Sequence, residues 1–251
     1  MTEEPVHLSV VIPAFEEEAR IVPTLARVRE YLEPRSYRSE VLVVVDGGTD
    51  ATLRQARSLG EDWPELRVLD NGRNRGKGYS VRRGMLEARG DYCLFSDADL
   101  STPIEEVEHL VDAMADGAQV AIGSRALPDS DVRVRQAWWR QSMGRVFNRV
   151  VQMTTVSGIG DTQCGFKCFR RDAAHEVFSR QRLERFSFDV EVLWIATKLG
   201  YEIAEVPVVW VNDPASRVHP LSDSVRMLID LVRVRLADRQ GLYDRGVETR
   251  G

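Results

Sequence analysis

Twice within the first hundred residues an apolar, largely β-branched or aromatic run ends on an aspartate: Glu40–Asp46 reads EVLVVVD and Tyr92–Asp97 reads YCLFSD. Further short runs of this kind stand at Leu8–Pro13, Leu66–Asp70 and Gln119–Ser124, and between them Glu18–Leu32, Ala51–Leu59, Gly78–Ala88 and Ile104–Ala115 carry helical spacing. Pro103 suits the first turn of the last of these helices, and Thr102 can cap it. Alternation of this kind is the signature of strand-helix-strand units and predicts an α/β fold, a mostly parallel sheet flanked by helices. Open α/β sheets bind ligands beyond the carboxyl ends of their strands, so Asp46 and Asp97 fall on the edge where chemistry is expected.

The second half is organised differently. Pro128–Thr155 is rich in arginine and carries Trp138, Trp139, Met143, Phe147 and Val151 at roughly helical spacing. A glycine-punctuated loop, Gly158–Gly165, precedes a strand at Phe166–Arg170; helices are expected at Asp172–Arg180, Phe188–Leu199 and Ser222–Arg239, with a strand at Tyr201–Val211. With no internal repeat or long linker, the reading is one domain over residues 1–240 and a flexible tail over 241–251.

Composition then removes several classes of function. A 251-residue chain that is 43% hydrophobic can bury a real core. Its 34 basic and 39 acidic residues leave a net charge of -5, which argues against bulk electrostatic binding to nucleic acid. Cys93, Cys164 and Cys168 are too few for a disulfide framework, and Cys164 and Cys168 have no second Cys/His pair to complete a zinc site. The N-terminus MTEEPVHLSVVIP lacks the charge pattern of a secretory leader, and no apolar run approaches the ~20 residues of a membrane span. The expectation is a cytoplasmic, soluble, enzyme-sized domain.

The sharpest chemical feature is Asp97-Ala98-Asp99, followed by Leu100-Ser101-Thr102-Pro103. Two carboxylates one residue apart at a strand terminus can jointly hold one hard cation, Mg²⁺ or Mn²⁺, already bound to a diphosphate. Three more segments reach the same edge: Pro13–Glu18 after the first strand, Asp46–Asp50 after the second, and Asn71–Gly78 (NGRNRGKG) after the third. Glycines in the second allow close approach of a base or ribose, while Asp50 also suits a helix N-cap. Glycines and cations opening a helix in the third suit a phosphate. The histidines His7, His109, His175 and His219 show no metal-ligand spacing.

The ordered set VVIPAFEEE, VVVDGGTD, NRGKG, DADLSTP, GSR, DTQCGFK, FDVEVL and SRV, covering about Leu8 to Leu231, resembles the inverting nucleotide-sugar glycosyltransferases of GT-A fold. More narrowly it resembles the polyprenyl- and dolichyl-phosphate sugar synthases, the dolichyl-phosphate β-glucosyltransferase branch above all. The resemblance implies a GT-A (Rossmann-like) domain with C-terminal helices on the acceptor side. Pro13, Ala14, Glu16 and Asp46 would line the nucleoside pocket, with Lys77 near the base or phosphates. Asp97 would contact the ribose or the metal, and Asp99 the metal. Arg125 would face the acceptor phosphate, Gln163 would line the sugar site beside Asp161, and Asp189 and Glu191 sit where related transferases keep a carboxylate near the reacting centre. Arg217 would approach the donor diphosphate or the acceptor phosphate. One departure stands out: the family usually has two aspartates where this chain has Asp46-Gly47, so a carboxylate contact to the nucleotide is missing or moved.

The implied reaction is metal-dependent, inverting transfer of a hexose, glucose from UDP-glucose in the first reading, to a polyprenyl phosphate at a membrane surface. Another donor such as GDP-mannose or a soluble hydroxyl acceptor is the alternative, and a hydroxyl would make Asp189 or Glu191 the candidate base. A nucleotidyltransferase or a sugar-nucleotide-binding module is the alternative of a different class, because fold does not fix function. Membrane contact would be peripheral, on the inner face of the cell membrane. It would use the arginine-rich segment and the last helix, where Val225, Leu228, Ile229, Val232 and Leu236 form one face beside Arg226, Arg233, Arg235 and Arg239.

Overall fold

The computed structural model describes residues 5–133, 158–211 and 220–244. The five runs of the first half become β1 (Leu8–Ala14), β2 (Ser39–Val45), β3 (Leu66–Asp70), β4 (Tyr92–Ser96) and β5 (Val120–Ser124). They are separated by α1 (Ile21–Leu32), α2 (Thr52–Glu61), α3 (Lys77–Glu87) and α4 (Val107–Ala115). A short strand β6 (Asp131–Val132) follows, then β7 (Phe166–Arg170), α5 (Arg171–Arg180), α6 (Phe188–Lys198), β8 (Ile203–Pro207), β9 (Val209–Trp210) and α7 (Pro220–Arg239).

Seven strands form one sheet in the order β3-β2-β1-β4-β7-β5-β8. Every neighbouring pair is parallel except those made by β7, which runs against both β4 and β5. That reversal has a positional consequence. The loop entering β7 opens on the same edge as the loops leaving β1, β2, β4 and β5, so residues far apart in sequence meet there.

Both faces of the sheet are covered, which is why β1 and β2 read as nearly unbroken apolar runs. On one face Val11, Leu42, Phe95 and Phe169 pack with Val81, Val177 and Leu193 of α3, α5 and α6. On the other, Val10, Ile12, Val43, Leu94 and Phe166 pack with Leu25, Val28 and Leu110 of α1 and α4. Each such fully buried side chain contributes about 1.5–3 kcal/mol relative to exposure.

Four local expectations change. The helix expected from Glu18 begins at Ile21, because Glu17 to Arg20 close a turn in which the Ile21 N–H donates to the Glu17 carbonyl (2.8 Å). Thr102 does not cap the helix after it; the helix opens with a 3-10 turn, Ile104–Glu106, and the Thr102 hydroxyl lies 3.8 Å from Cys164 Sγ. The strand expected over Tyr201–Val211 divides. Proline lacks the N–H that would extend the ladder past Pro207, and Val209–Trp210 leaves the main sheet to pair with β6. Finally, the frayed end does not start at residue 241. Tyr243 is buried to 1% exposure and Asp244 pairs with Lys198 at 2.6 Å.

Asp50 does serve the start of α2: its Oδ1 accepts from the Thr52 N–H (3.1 Å). In α7 the inward face is Met227, Leu231 and Val234, whereas Ile229, Val232 and Leu236 remain exposed. The helix expected around Trp138 to Val151 lies outside the described residues, as does most of the Asn212–Pro220 loop.

Candidate active site

Asp97 and Asp99 stand on the tight turn that leaves β4. Leu100 takes a left-handed backbone (φ 45) and donates its N–H to the Asp97 carbonyl (3.1 Å), while the Ser101 N–H donates to Asp99 Oδ1 (2.9 Å). A left-handed leucine costs about 1–2 kcal/mol, and the surroundings hold it there. The Thr24 hydroxyl donates to the Ala98 carbonyl (2.6 Å), and the Val211 N–H donates to the Ser101 carbonyl (2.7 Å). Gly165, at the entrance to β7, backs directly onto Asp97: a Cβ there would stand 2.1 Å from Asp97 Oδ2. Only glycine admits that approach.

Lys77, the first residue of α3, places Nζ 2.5 Å from Asp97 Oδ1. Burial opposes its charge, but Asp97, Asp189 and Asp99 outweigh that and hold Lys77 above the ordinary lysine range. A second cation lies deeper. Lys167, the second residue of β7, is fully buried and donates to Asp189 Oδ1 (2.5 Å) and to the Cys164 carbonyl (2.6 Å). Charges with no access to water persist only when paired in this way. The result is a cluster of three carboxylates and two lysines, Asp99, Asp97, Lys77, Asp189 and Lys167, at the sheet edge. Sequence reasoning missed Lys167; the signal was a lysine flanked by Phe166 and Phe169 inside an apolar strand.

Beside this set, Arg125 leaves β5 and grips Asp161 with two hydrogen bonds, Nε to Oδ2 (2.6 Å) and a terminal nitrogen to Oδ1 (2.9 Å). Burial opposes ionisation of Asp161, yet Arg125 brings its carboxyl down to about 2. Glu205 of β8, also unnoticed in the sequence, accepts from the N–H groups of Gly160 and Asp161 (both 2.8 Å) and fixes the loop. The Gln163 N–H donates to Asp161 Oδ1 (3.2 Å), and its side chain reaches Met227 Sδ (3.8 Å). Thus Gln163 does stand beside Asp161, whereas the Arg125 guanidinium is partly committed to Asp161 and stacks 5.3 Å from the Trp210 ring.

The residues expected around a nucleoside divide into two groups. Glu16 stands just past β1 in a left-handed conformation (φ 51), with its side chain toward Gly48. Pro13 and Ala14 are buried within the last turn-ward positions of β1. Asp46 is 3% exposed and accepts from Asn71 Nδ2 (2.8 Å), the Arg75 N–H (3.0 Å) and the Gly76 N–H (2.7 Å). It holds the loop that carries Lys77. Gly47 follows Asp46 directly. At φ 71, with a would-be Cβ 2.6–2.8 Å from the Arg73–Asn74 backbone, it leaves no room for a second aspartate side chain.

Glu191 lies two residues further along α6 than Asp189. It is fully buried, and accepts from the Arg182 N–H (3.0 Å), the Leu183 N–H (2.8 Å) and the Tyr243 hydroxyl (2.7 Å). Arg217 lies outside the described residues.

The donor set at the turn fits a hard divalent cation. Burial first, and the adjacent Asp97 charge second, raise the Asp99 carboxyl above its ordinary range, a tension that a cation between the two carboxylates would relieve. Among the described residues no group of three or more His, Cys, Asp or Glu gathers for a metal. Two protein ligands would therefore leave positions for diphosphate oxygens and water.

A mostly parallel α/β sheet, with an Asp-X-Asp turn and a cationic helix start at its carboxyl edge, defines a glycosyltransferase of GT-A fold. The family model described as Glycosyl transferase family 2 matches residues 9–178, and the chain belongs to that family. Among similar proteins, a dolichyl-phosphate beta-glucosyltransferase of Dictyostelium discoideum is 36% identical over 250 residues, covering 95% of this chain and 76% of the relative. One of Homo sapiens is 36% identical over 251 residues, covering 94% and 77%. The fold is shared with glucosyl-3-phosphoglycerate synthase from Mycobacterium tuberculosis, solved in complex with Mn²⁺, UDP and phosphoglyceric acid (TM-score 0.67, 21% identity, 96% of this chain and 81% of that one). It is shared equally with mannosyl-3-phosphoglycerate synthase from Rubrobacter xylanophilus (TM-score 0.68, 19% identity, 98% and 78%).

Proposed function

We propose that this glycosyltransferase moves glucose from UDP-glucose, with inversion, onto the phosphate of a dolichyl or other polyprenyl lipid, using Mg²⁺ or Mn²⁺ held by Asp97 and Asp99. The names of its relatives support the acceptor and the sugar. The observation that carries the reading is the state of the two candidate bases. Asp189 is paired with buried Lys167, and Glu191 is occupied by three donors. A hydroxyl acceptor would need one of them free, whereas a phosphate monoester arrives already ionised.

In the reaction, an acceptor phosphate oxygen attacks the anomeric carbon from the face opposite the leaving group. The bond from that carbon to the diphosphate breaks, and the nucleoside diphosphate departs. A divalent cation held by Asp97 and Asp99 would, when bound, supply Lewis-acid neutralisation of negative charge on the diphosphate. Lys77 adds a fixed positive charge beside it, already oriented by Asp97, so little rearrangement is required as charge develops. The Arg125–Asp161 pair fixes the wall where Gln163 meets the sugar, and any remaining Arg125 N–H faces the incoming phosphate.

Among the described residues no helix is long and apolar enough to cross a membrane. We place the acceptor's membrane against α7, where Ile229, Val232 and Leu236 are 50%, 58% and 50% exposed along one stripe flanked by Arg233 and Arg239. An apolar stripe edged by arginine can rest at the headgroup layer on the cytoplasmic face.

Incubation with a panel of radiolabelled nucleotide sugars, with and without polyprenyl phosphate, followed by extraction into organic solvent, tests the reading. Label from UDP-glucose is expected in the organic phase only with the lipid phosphate and a divalent cation. Transfer from GDP-mannose instead, or to water-soluble hydroxyl acceptors, overturns it.

A further inference from the structure

The start of α3 is clamped from the side opposite Asp46. A Cβ on Gly76 would stand 2.3 Å from the Glu184 carbonyl oxygen, and one on Gly78 would stand 2.5 Å from that of Leu183. The Tyr79 N–H donates to the Glu184 carbonyl (3.1 Å), and Gln181 Nε2 bridges the Gly78 and Leu183 carbonyls (2.9 and 2.8 Å). Lys77 lies inside this clamp, so the position of the segment 181–184 sets where its ammonium points.

That segment is held by Glu191. One carboxylate oxygen takes the Arg182 N–H and the other the Leu183 N–H, and the first also takes the Tyr243 hydroxyl. Tyr243 comes from the chain beyond α7 and is buried to 1% exposure. A fully buried carboxylate with three directional donors has one favoured orientation; removing a donor leaves an under-satisfied buried oxygen free to turn.

We propose that Tyr243 and Glu191 are positioning residues for Lys77: a chain of contacts from the C-terminal segment, through Glu191 and the segment 181–184, aims the lysine at Asp97 and at the donor diphosphate. This rests on the reading that Lys77 meets the donor. It adds that donor affinity depends on a tyrosine far along the sequence that touches no substrate. The carboxylate that resembles a reactive group in sequence acts here through another residue.

Tyr243→Phe keeps the ring and deletes only the donor; Glu191→Gln is the second variant. Binding of UDP with Mn²⁺ is measured by titration calorimetry, KM for donor and acceptor by steady-state kinetics, and folding by thermal melting. Tyr243→Phe is expected to weaken UDP binding about tenfold and to lower kcat/KM for the donor by at least as much, leaving acceptor KM within about twofold, as loss of one buried hydrogen bond allows. In the double variant with Lys77→Ala, Tyr243→Phe should add nothing to the loss caused by Lys77→Ala alone. Full additivity in that cycle, or unchanged UDP binding in a folded Tyr243→Phe or Glu191→Gln, overturns the proposal while the donor reading stands. Unchanged UDP binding in Lys77→Ala overturns both.

Discussion

Lys77 Nζ lies 2.5 Å from Asp97 Oδ1, joining the first residue of α3 to the turn that leaves β4. The two strands preceding these residues, β3 and β4, are separated in the sheet by β2 and β1. The ion pair therefore spans the carboxyl edge across the ends of both inner strands, and it is the contact that unites the Asp97–Asp99 turn with the cationic loop.

Asp99→Asn is the direct test of the turn. The amide keeps the side chain's shape and can still accept from the Ser101 N–H, so the melting temperature should hold. Turnover should fall at least ~100-fold, the scale of losing one preorganised electrostatic group, and the residual rate should no longer respond to Mg²⁺ or Mn²⁺. Full metal-stimulated activity in this variant would remove the metal site from the turn.

The Arg125–Asp161 pair predicts an acid limit to stability. The Asp161 carboxyl lies at about 2 against an ordinary 3.8, a depressed value. Its contribution is therefore complete above pH 3.8 and disappears as pH falls toward 2, worth about 2 kcal/mol in all. Asp161→Asn should cost about 3 kcal/mol near neutrality, because Arg125 is left without its partner. The wild-type advantage over the variant, followed by denaturant unfolding, should shrink across that acid window; a constant difference from pH 5 to pH 2 would contradict the assignment.

The strand ends were legible in the sequence because a β-branched run closed by aspartate is a local signal, and Leu66–Asp70 and Phe166–Arg170 agree residue for residue with the observed strands. That Asp97, Asp99 and Lys77 stand at one edge of the sheet could be read from their place in the chain alone. What Asp46 and Glu191 do could not. Their oxygens are taken by backbone N–H groups of loops 29–30 and 8–9 residues away, and only the closed structure reveals which loop reaches them. A carboxylate at a strand end has the same sequence signature whether it faces a ligand or ties down a neighbouring loop.

Gly47 shows the same point at the backbone. Gly47→Asp restores the acidic pair expected from the family, yet it should impair the protein. An aspartate fits the left-handed conformation less readily than glycine, and the would-be Cβ meets the Arg73 backbone at 2.6 Å. A lower melting temperature with weaker UDP binding is expected, since the Arg73–Asn74 loop must shift and Lys77 follows it. Tighter UDP binding in a stable variant would show that the position does accept a nucleotide-facing carboxylate.

On α7, Val232→Glu places a charge in the middle of the exposed stripe, 58% accessible. Stability should change by less than ~0.5 kcal/mol, as for a surface substitution. Co-sedimentation with vesicles containing anionic phospholipid should fall several-fold, and turnover with lipid phosphate in those vesicles should fall with it, while a short-chain, detergent-dispersed acceptor is used normally. Equal sedimentation of variant and wild type would place the membrane elsewhere.

The Lys167–Asp189 pair decides between acceptor classes. Asp189→Asn alone is a poor test, because it leaves a fully buried ammonium without its counter-charge and should cost about 3–5 kcal/mol whatever Asp189 does in catalysis. Replacing both members together, Lys167→Met with Asp189→Leu, removes the charges as a pair and is expected to be close to neutral for stability. A phosphate acceptor requires no proton removal, so this folded double variant should keep its rate with polyprenyl phosphate within about tenfold, any loss reflecting the missing Asp189 charge near Lys77. Were Asp189 the base for a hydroxyl acceptor, the same folded variant would lose about 10²–10⁴-fold in kcat. Kinetics on the pair-replaced enzyme thus separate the two chemistries without relying on the stability of an unpaired lysine.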